Sequence, residues 1–382
     1  MSGRFVRQIC TAALIAGAVS LVLPAPQAGA APADPPDQSV SALLSQLQTL
    51  YRKAEEATER YNATDERLKQ QREKAGKLGD DLATTRIALA DARKAIGQLA
   101  REQYQGGSGA ALSPYLGVML SDNPQQALDQ GHQISRAAGQ QAATVKRLED
   151  NEKKASALAA QARDALNEQQ ALAARQKQER DTVVKSLDQV EKMLASLNER
   201  QLAELQRQEA KDVGQAQDKL LASGRLSGAK APSSIGSKAV EFAYQQLGKP
   251  YVWGAAGPDS FDCSGLTSQA WARAGAAIPR TSQEQWQSLP KVGLDELRPG
   301  DLVIYFEGAT HVALYIGDGL VIQAPRPGAY VKVSPIASNP LLGAVRPDAG
   351  RPALSGYVPP RLPEGARSGS DAGYGSASAP GR

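Results

Sequence analysis

A seven-residue repeat runs through the first half of this chain and restricts what that half can become. Read from Leu47, every seventh residue is Ala54, Tyr61, Leu68, Ala75, Leu82, Leu89 and Ile96, and the repeat stops at Gln103. Three positions further on stand Leu50, Ala57, Thr64, Gln71, Leu78, Thr85, Ala92 and Leu99. Residues spaced alternately three and four apart form one stripe along a helix, and an isolated helix cannot bury it. A second stripe, Val183, Leu187, Val190, Leu194 and Leu197, repeats the spacing. Two stripes in one chain predict an antiparallel coiled-coil hairpin over residues 39–222, loosely specified because small and polar residues interrupt its seam. The first helix would run for about 67 residues and roughly 100 Å.

Between the stripes, Gly106, Gly107 and Gly109 break the helix, and Pro114 and Pro124 each suit the start of a new one. This marks a non-coil tip over residues 106–132. Its Leu112, Tyr115, Leu116, Val118, Met119 and Leu120 are apolar enough to pack back on the coil or to dock a partner. His132 reads as a solvated helical residue rather than a ligand.

Composition changes near residue 230. All three tryptophans and three of the four phenylalanines lie beyond it, whereas residues 39–222 are rich in Ala, Gln, Glu, Lys, Arg and Leu. Residues 223–236 read as a flexible linker, 237–349 as one modest α+β domain, and 350–382, rich in Pro, Gly and Ser, as a disordered tail. Residues 1–30 carry the marks of a secretory signal: Arg4 and Arg7, an apolar run over 9–23, and Ala28-Gly29-Ala30. A short leader, 31–38, follows. The expectation is a secreted, soluble protein with no later segment long and apolar enough to cross a membrane. A net charge of +4 with mixed signs argues against a nucleic-acid binder.

Removal of the signal takes Cys10 and leaves Cys263 as a lone thiol. An exported chain with one cysteine has no intramolecular disulfide to make, so a nucleophile is the better account. Asp262 or its neighbour caps a helix starting near Cys263, with Leu266, Ala270 and Ala274 on one side and Gly275 as its stop. A thiol at a helix start feels unpaired N–H groups, which favour thiolate and can hold an oxyanion. Another helix spans 237–247, and a third opens at Thr281 or Ser282. Strands are expected at 302–306, 311–316, 320–324, 331–333 and 342–345.

His311 opens the second of these strands and is the partner for the thiol as base. A base needs a third group to fix its tautomer, and Gln323 lies on the next strand. With a two-residue Asp318-Gly319 loop alone, Gln323 would point away from the His311 face. An odd-length loop or an equivalent bulge sets it opposite Ala313 and diagonal to His311. One cysteine and one histidine fall short of a metal set, and no cofactor is implied.

The segments YVWGAAGPDSFDCSGLTSQAW, IPRTSQEQW, RPGDLVIYF and HVALYIGDGLVIQAP resemble, in order, the motifs of the NlpC-type cell-wall cysteine peptidases. The resemblance implies a papain-like α+β fold with an antiparallel sheet, Cys263 as nucleophile, His311 as base and then acid, and Gln323 as the orienting residue. It places Tyr251, Asp262 and Ser264 along the cleft and implies hydrolysis of peptidoglycan stem peptides, typically between D-glutamate and meso-diaminopimelate. Ala255 stands where the family usually has a glycine. A preceding coil is similar to the mycobacterial Rip endopeptidases and other division hydrolases, which implies recruitment by the membrane complex FtsE–FtsX. A non-catalytic coiled-coil activator and a thiol acyltransferase remain alternatives.

Overall fold

The computed structural model describes residues 39–106, 124–226 and 230–362. The expected signal and leader, 1–38, and the apolar residues expected at the tip lie outside them. Helix α1 (Val40–Gly106) packs antiparallel on α2 (Pro124–Ala195), with cross-helix pairs such as Arg60–Glu179 and Arg93–Glu152. The seam follows the repeat: Leu47, Ala54, Ala57, Thr64, Leu68, Gln71 and Thr85 are all buried. Gln71 is accommodated because its amide donates to the Ala165 carbonyl at 2.9 Å.

Two boundaries differ from expectation. The second helix begins at Pro124, inside the expected tip, because a proline at the first helical position has no N–H to leave unpaired. The returning arm also breaks at 196–198 and restarts as α3 (Glu199–Ala222). Asn198 accepts from the Gln201 amide while the Gln201 side chain accepts from the Asn198 amide, a reciprocal cap that stabilises the new start. Leu205 and Leu202 of α3 then join Leu43, Leu44, Leu47 and Tyr51 of α1 in one apolar cluster.

The C-terminal domain contains α4 (Ser234–Gln245), α5 (Cys263–Ala274), α6 (Ser282–Ser288) and strands β1 (Lys291–Val292), β2 (Leu302–Tyr305), β3 (His311–Gly317), β4 (Leu320–Gln323), β5 (Lys332–Pro335) and β6 (Leu341–Val345). Among the described residues these form one sheet, β1-β6-β2-β3-β4-β5, antiparallel throughout. Helices α4 and α5 cover one face, where Trp271, Leu266, Ile304, Leu314 and Ile322 are fully buried. On the other face, Val303, Tyr305, Ala313, Tyr315 and Val321 pack with Leu220 of α3 and Leu226 beyond it. The long helical arm therefore contributes to the domain's own core.

The expected linker is shorter than its composition suggested. Ser233 caps α4 through the Gly236 amide and also bonds Asp348, so the helix opens at Ser234 rather than 237. The tail also departs from expectation as far as 362. The Leu354 amide donates to the Pro232 carbonyl, Arg298 donates to the Arg351 carbonyl, and Leu362 packs on the core. Backbone groups that find fixed partners hold an extended segment whatever its composition. Residues 363–382 lie outside the described chain.

Candidate active site

Cys263 is the first residue of α5, capped by Asp262, whose side chain accepts from the Gly265 amide at 2.6 Å. The helix stops at Gly275, which takes φ 96°, a conformation open to glycine. A Cβ on Gly265 would stand 2.2 Å from the Ala255 carbonyl oxygen, so the loop before the thiol packs directly on the helix backbone.

His311 opens β3, and Gln323 ends β4. The turn between the strands is Asp318-Gly319, both at positive φ, the geometry of a two-residue hairpin loop. The pairing shifts between Tyr315 and Gly317, then runs Tyr315 with Val321 and Leu314 with Ile322. This bulge sets Gln323 on the His311 face, where Gln323 Oε1 lies 2.7 Å from His311 Nε2. Side-chain contact required that register, and the bulge rather than an odd-length loop supplies it.

The thiol and the imidazole are each engaged by α1. Glu59 Oε1 accepts from Cys263 Sγ at 3.7 Å and from Ser264 Oγ at 2.8 Å, while Glu59 Oε2 accepts from the Ser282 amide at 2.8 Å. One turn earlier, Glu55 Oε1 stands 3.4 Å from His311 Nδ1. One turn later, Asn62 donates to Asp262 at 3.0 Å, and Tyr61 packs edge-on against Trp253. Glu55, Glu59 and Asn62 lie four and three residues apart, so one face of α1 lies in the groove. Cys263 and His311 are 2% and 0% exposed, so nothing reaches them while α1 is in place. Beyond Gln323 a cavity of about 860 Å³ remains, bounded by α1, α3 and the sheet.

These neighbours reverse the electrostatics expected of the thiol. Burial first, then the charges of Glu59, Asp262 and Glu55, push the Cys263 thiol well above its ordinary value, against a smaller opposing effect of the Val312 amide. The helix start favours thiolate, but three nearby carboxylates and loss of water outweigh it. Burial alone would lower His311; the charge and hydrogen bonding of Glu55, with Gln323, raise it instead. Burial and the Asp262 charge raise Glu59 to about 7.

The residues expected along the cleft have distinct fates. Tyr251 is buried beside the thiol and donates its amide to the Ala329 carbonyl. Asp262 is forked by Arg280 at 3.0 and 2.8 Å, and Arg280 also donates to Ser264. Its carboxylate is therefore committed to the cap, Arg280 and Asn62. Arg280, Glu55, Glu59 and Asn62 were not anticipated. Arg280 lies in the quoted IPRTSQEQW motif, which was the available signal. The α1 residues gave none, since polar residues off the seam look solvated in a lone sequence.

The α+β layout places a thiol at a helix start beside an imidazole at the opening of an adjoining strand, the pair of groups that thiol chemistry uses. Residues 248–343 match the NlpC/P60 family, and the C-terminal part of the chain is an NlpC/P60 domain. Over 114 residues the chain is 43% identical to the probable endopeptidase Cgl2188 of Corynebacterium glutamicum, covering 30% of this chain and 54% of that protein. Over 108 residues it is 42% identical to the probable endopeptidase Rv2190c of Mycobacterium tuberculosis, covering 28% of each. The crystal structure of the NlpC/p60 domain of the peptidoglycan hydrolase SagA is 34% identical, with TM-score 0.28, covering 29% of this chain and 97% of that one. The chain thus spans about half the length, or less, of these curated relatives.

Proposed function

We propose that this chain is a cysteine-type peptidoglycan endopeptidase whose own helical hairpin holds it closed. The observation that carries the reading is the His311–Gln323 bond at 2.7 Å on the strands beside a helix-start thiol. Once α1 is withdrawn, Cys263 attacks the carbonyl carbon of the scissile amide and passes its proton to His311 Nδ1. Backbone N–H groups at the start of α5 that the Asp262 cap leaves free serve the developing oxyanion. His311 then protonates the departing amine, and water hydrolyses the thioester with His311 as base. Family resemblance supports a stem peptide as substrate, cut between D-glutamate and meso-diaminopimelate, during wall remodelling and division outside the cytoplasm. The same resemblance supports recruitment by FtsE–FtsX through the tip.

The closed state is supported by the pairing of two α1 carboxylates with the two reactive groups. The test is mass-spectrometric digestion of defined muropeptides by the full chain, Glu59→Ala and Cys263→Ala. Cleavage that rises with Glu59→Ala and vanishes with Cys263→Ala is expected. Equal digestion by Cys263→Ala would end the enzyme assignment, and tight binding without cleavage would favour a scaffold.

A further inference from the structure

The cavity beyond Gln323 has walls of opposite character. From the domain its polar lining is Gln323, Arg326, Ser334, Ser338 and Asn339, with no acid among them. The carboxylates at its edge, Glu55, Glu209 and Asp212, all come from α1 and α3. Arg326, in the loop between β4 and β5, is nearly buried. Its Nη1 and Nη2 donate to the two oxygens of Glu209 at 2.8 and 3.0 Å, and its guanidinium lies 4.9 Å from the centre of the Tyr51 ring of α1. Two parallel N–H groups meeting two oxygens is the geometry by which arginine recognises a carboxylate.

We infer that Arg326 is a specificity-determining residue that grips a carboxylate on the leaving-amine side of the substrate, and that Glu209 occupies that carboxylate's place in the closed state. The inference rests on the proposed thiol–imidazole chemistry and names a feature of its substrate. Order along the groove sets the side. On α1, Tyr51 lies under Arg326, Glu55 beside His311 and Glu59 beside Cys263. Arg326 is thus beyond the imidazole as seen from the thiol, and Tyr51 to Glu59 spans about 12 Å of helix. The imidazole protonates the departing amine, so the fragment bearing that amine lies on its side of the thiol and extends toward Arg326.

The two partners of this fork are anchored differently. The Arg326 loop is tied to the domain: the Ala329 amide donates to the Arg326 carbonyl at 3.1 Å, and the Ala329 carbonyl accepts from the Tyr251 amide at 2.8 Å. Glu209 follows Leu202 and Leu205, which pack on Leu43, Leu44, Leu47 and Tyr51 of α1. Withdrawing α1 strips that packing from the Glu209 end of α3, while the arginine stays in the groove. Ser334, on the sheet face of Gln323, has a buried hydroxyl with no hydrogen-bond partner among the described residues. The closed state therefore leaves hydrogen-bonding capacity unused at this wall.

The test is calorimetric binding to full chain carrying Glu59→Ala and Cys263→Ala, which is freed of one groove contact and inert. The probes are γ-D-glutamyl-meso-diaminopimelyl peptides with the leaving fragment ending in a free carboxylate or in a carboxamide. The free acid should bind about tenfold tighter or more, the scale of a charge-assisted hydrogen bond. Arg326→Gln should bring the ratio close to one by weakening the acid alone, and Arg326→Lys should keep part of it. Glu209→Gln should widen the ratio, because the competing carboxylate is gone. Amidating the D-glutamyl carboxylate instead should give a change that Arg326→Gln does not alter. A ratio near one in the starting protein, a ratio indifferent to Arg326→Gln, or binding of neither peptide would overturn the inference. Opening of the groove affects both peptides equally and cancels. Binding is read without turnover, so failure of the enzyme assignment would show separately, as equal digestion by Cys263→Ala.

Discussion

Replacing Glu59 with glutamine should remove the largest carboxylate contribution to the pH dependence of the closed state. Docked, Glu59 has its pKa raised from 4.5 to about 7. It therefore holds a proton more tightly docked than released. Its contribution to docking is complete below about pH 4.5 and is lost as pH rises through about 7. The released fraction scales as (1 + 10^(pH − 4.5))/(1 + 10^(pH − 7)), about 4 at pH 5 and about 240 at pH 7.5, a ratio of about 60 or ~2.4 kcal/mol. Glutamine resembles the protonated acid in size and hydrogen bonding and carries no such factor. The assay is the rate of Cys263 alkylation by iodoacetamide in full chain, followed on the Cys263 peptide by mass spectrometry. Intrinsic thiol reactivity is common to both proteins and cancels. The natural-to-variant rate ratio should climb roughly sixtyfold between pH 5 and 7.5, while Glu59→Gln stays the more protected at neutral pH. A flat ratio, or a variant more reactive at pH 7.5, would refute the reasoning.

Glu55→Gln should lower the pH at which His311 loses its proton in the full chain, because the charge that raises it is gone; an imidazole NMR titration reads this directly. Arg280→Met leaves the buried Asp262 carboxylate without its fork and should cost about 3–5 kcal/mol in denaturant unfolding of the domain. Leu47→Ala, at a fully buried position where α1 meets α3, should cost about 2–5 kcal/mol and speed Cys263 alkylation. Unchanged alkylation there would mean that this cluster does not hold α1 in the groove.

Much of the domain was legible because its signals are local. Asp262 before Cys263 and Gly275 after Ala274 bound α5, and Thr281 with Glu284 marks the start of α6. The Gln323 register was legible as a requirement, since only one parity lets it meet His311. The bulge that meets it leaves no composition mark. The repeat from Leu47 captured the contacts between α1 and α2. It missed the Glu55, Glu59 and Asn62 face because those residues are matched by groups some 200 positions later, such as Asn62 with Asp262. Polar burial is invisible until its partner is known. The same limit hid the docked segment near Leu354, whose backbone amide and carbonyls find partners at Pro232 and Arg298 that no local pattern announces.

Helix α1 continues from Asn62 to Gly106, about 66 Å beyond its last contact with the groove. A rod this long, gripped near one end, is a lever. A sideways pull at its far end becomes torque at Glu55 and Glu59, so a modest force applied far from the thiol suffices to tip both carboxylates away together.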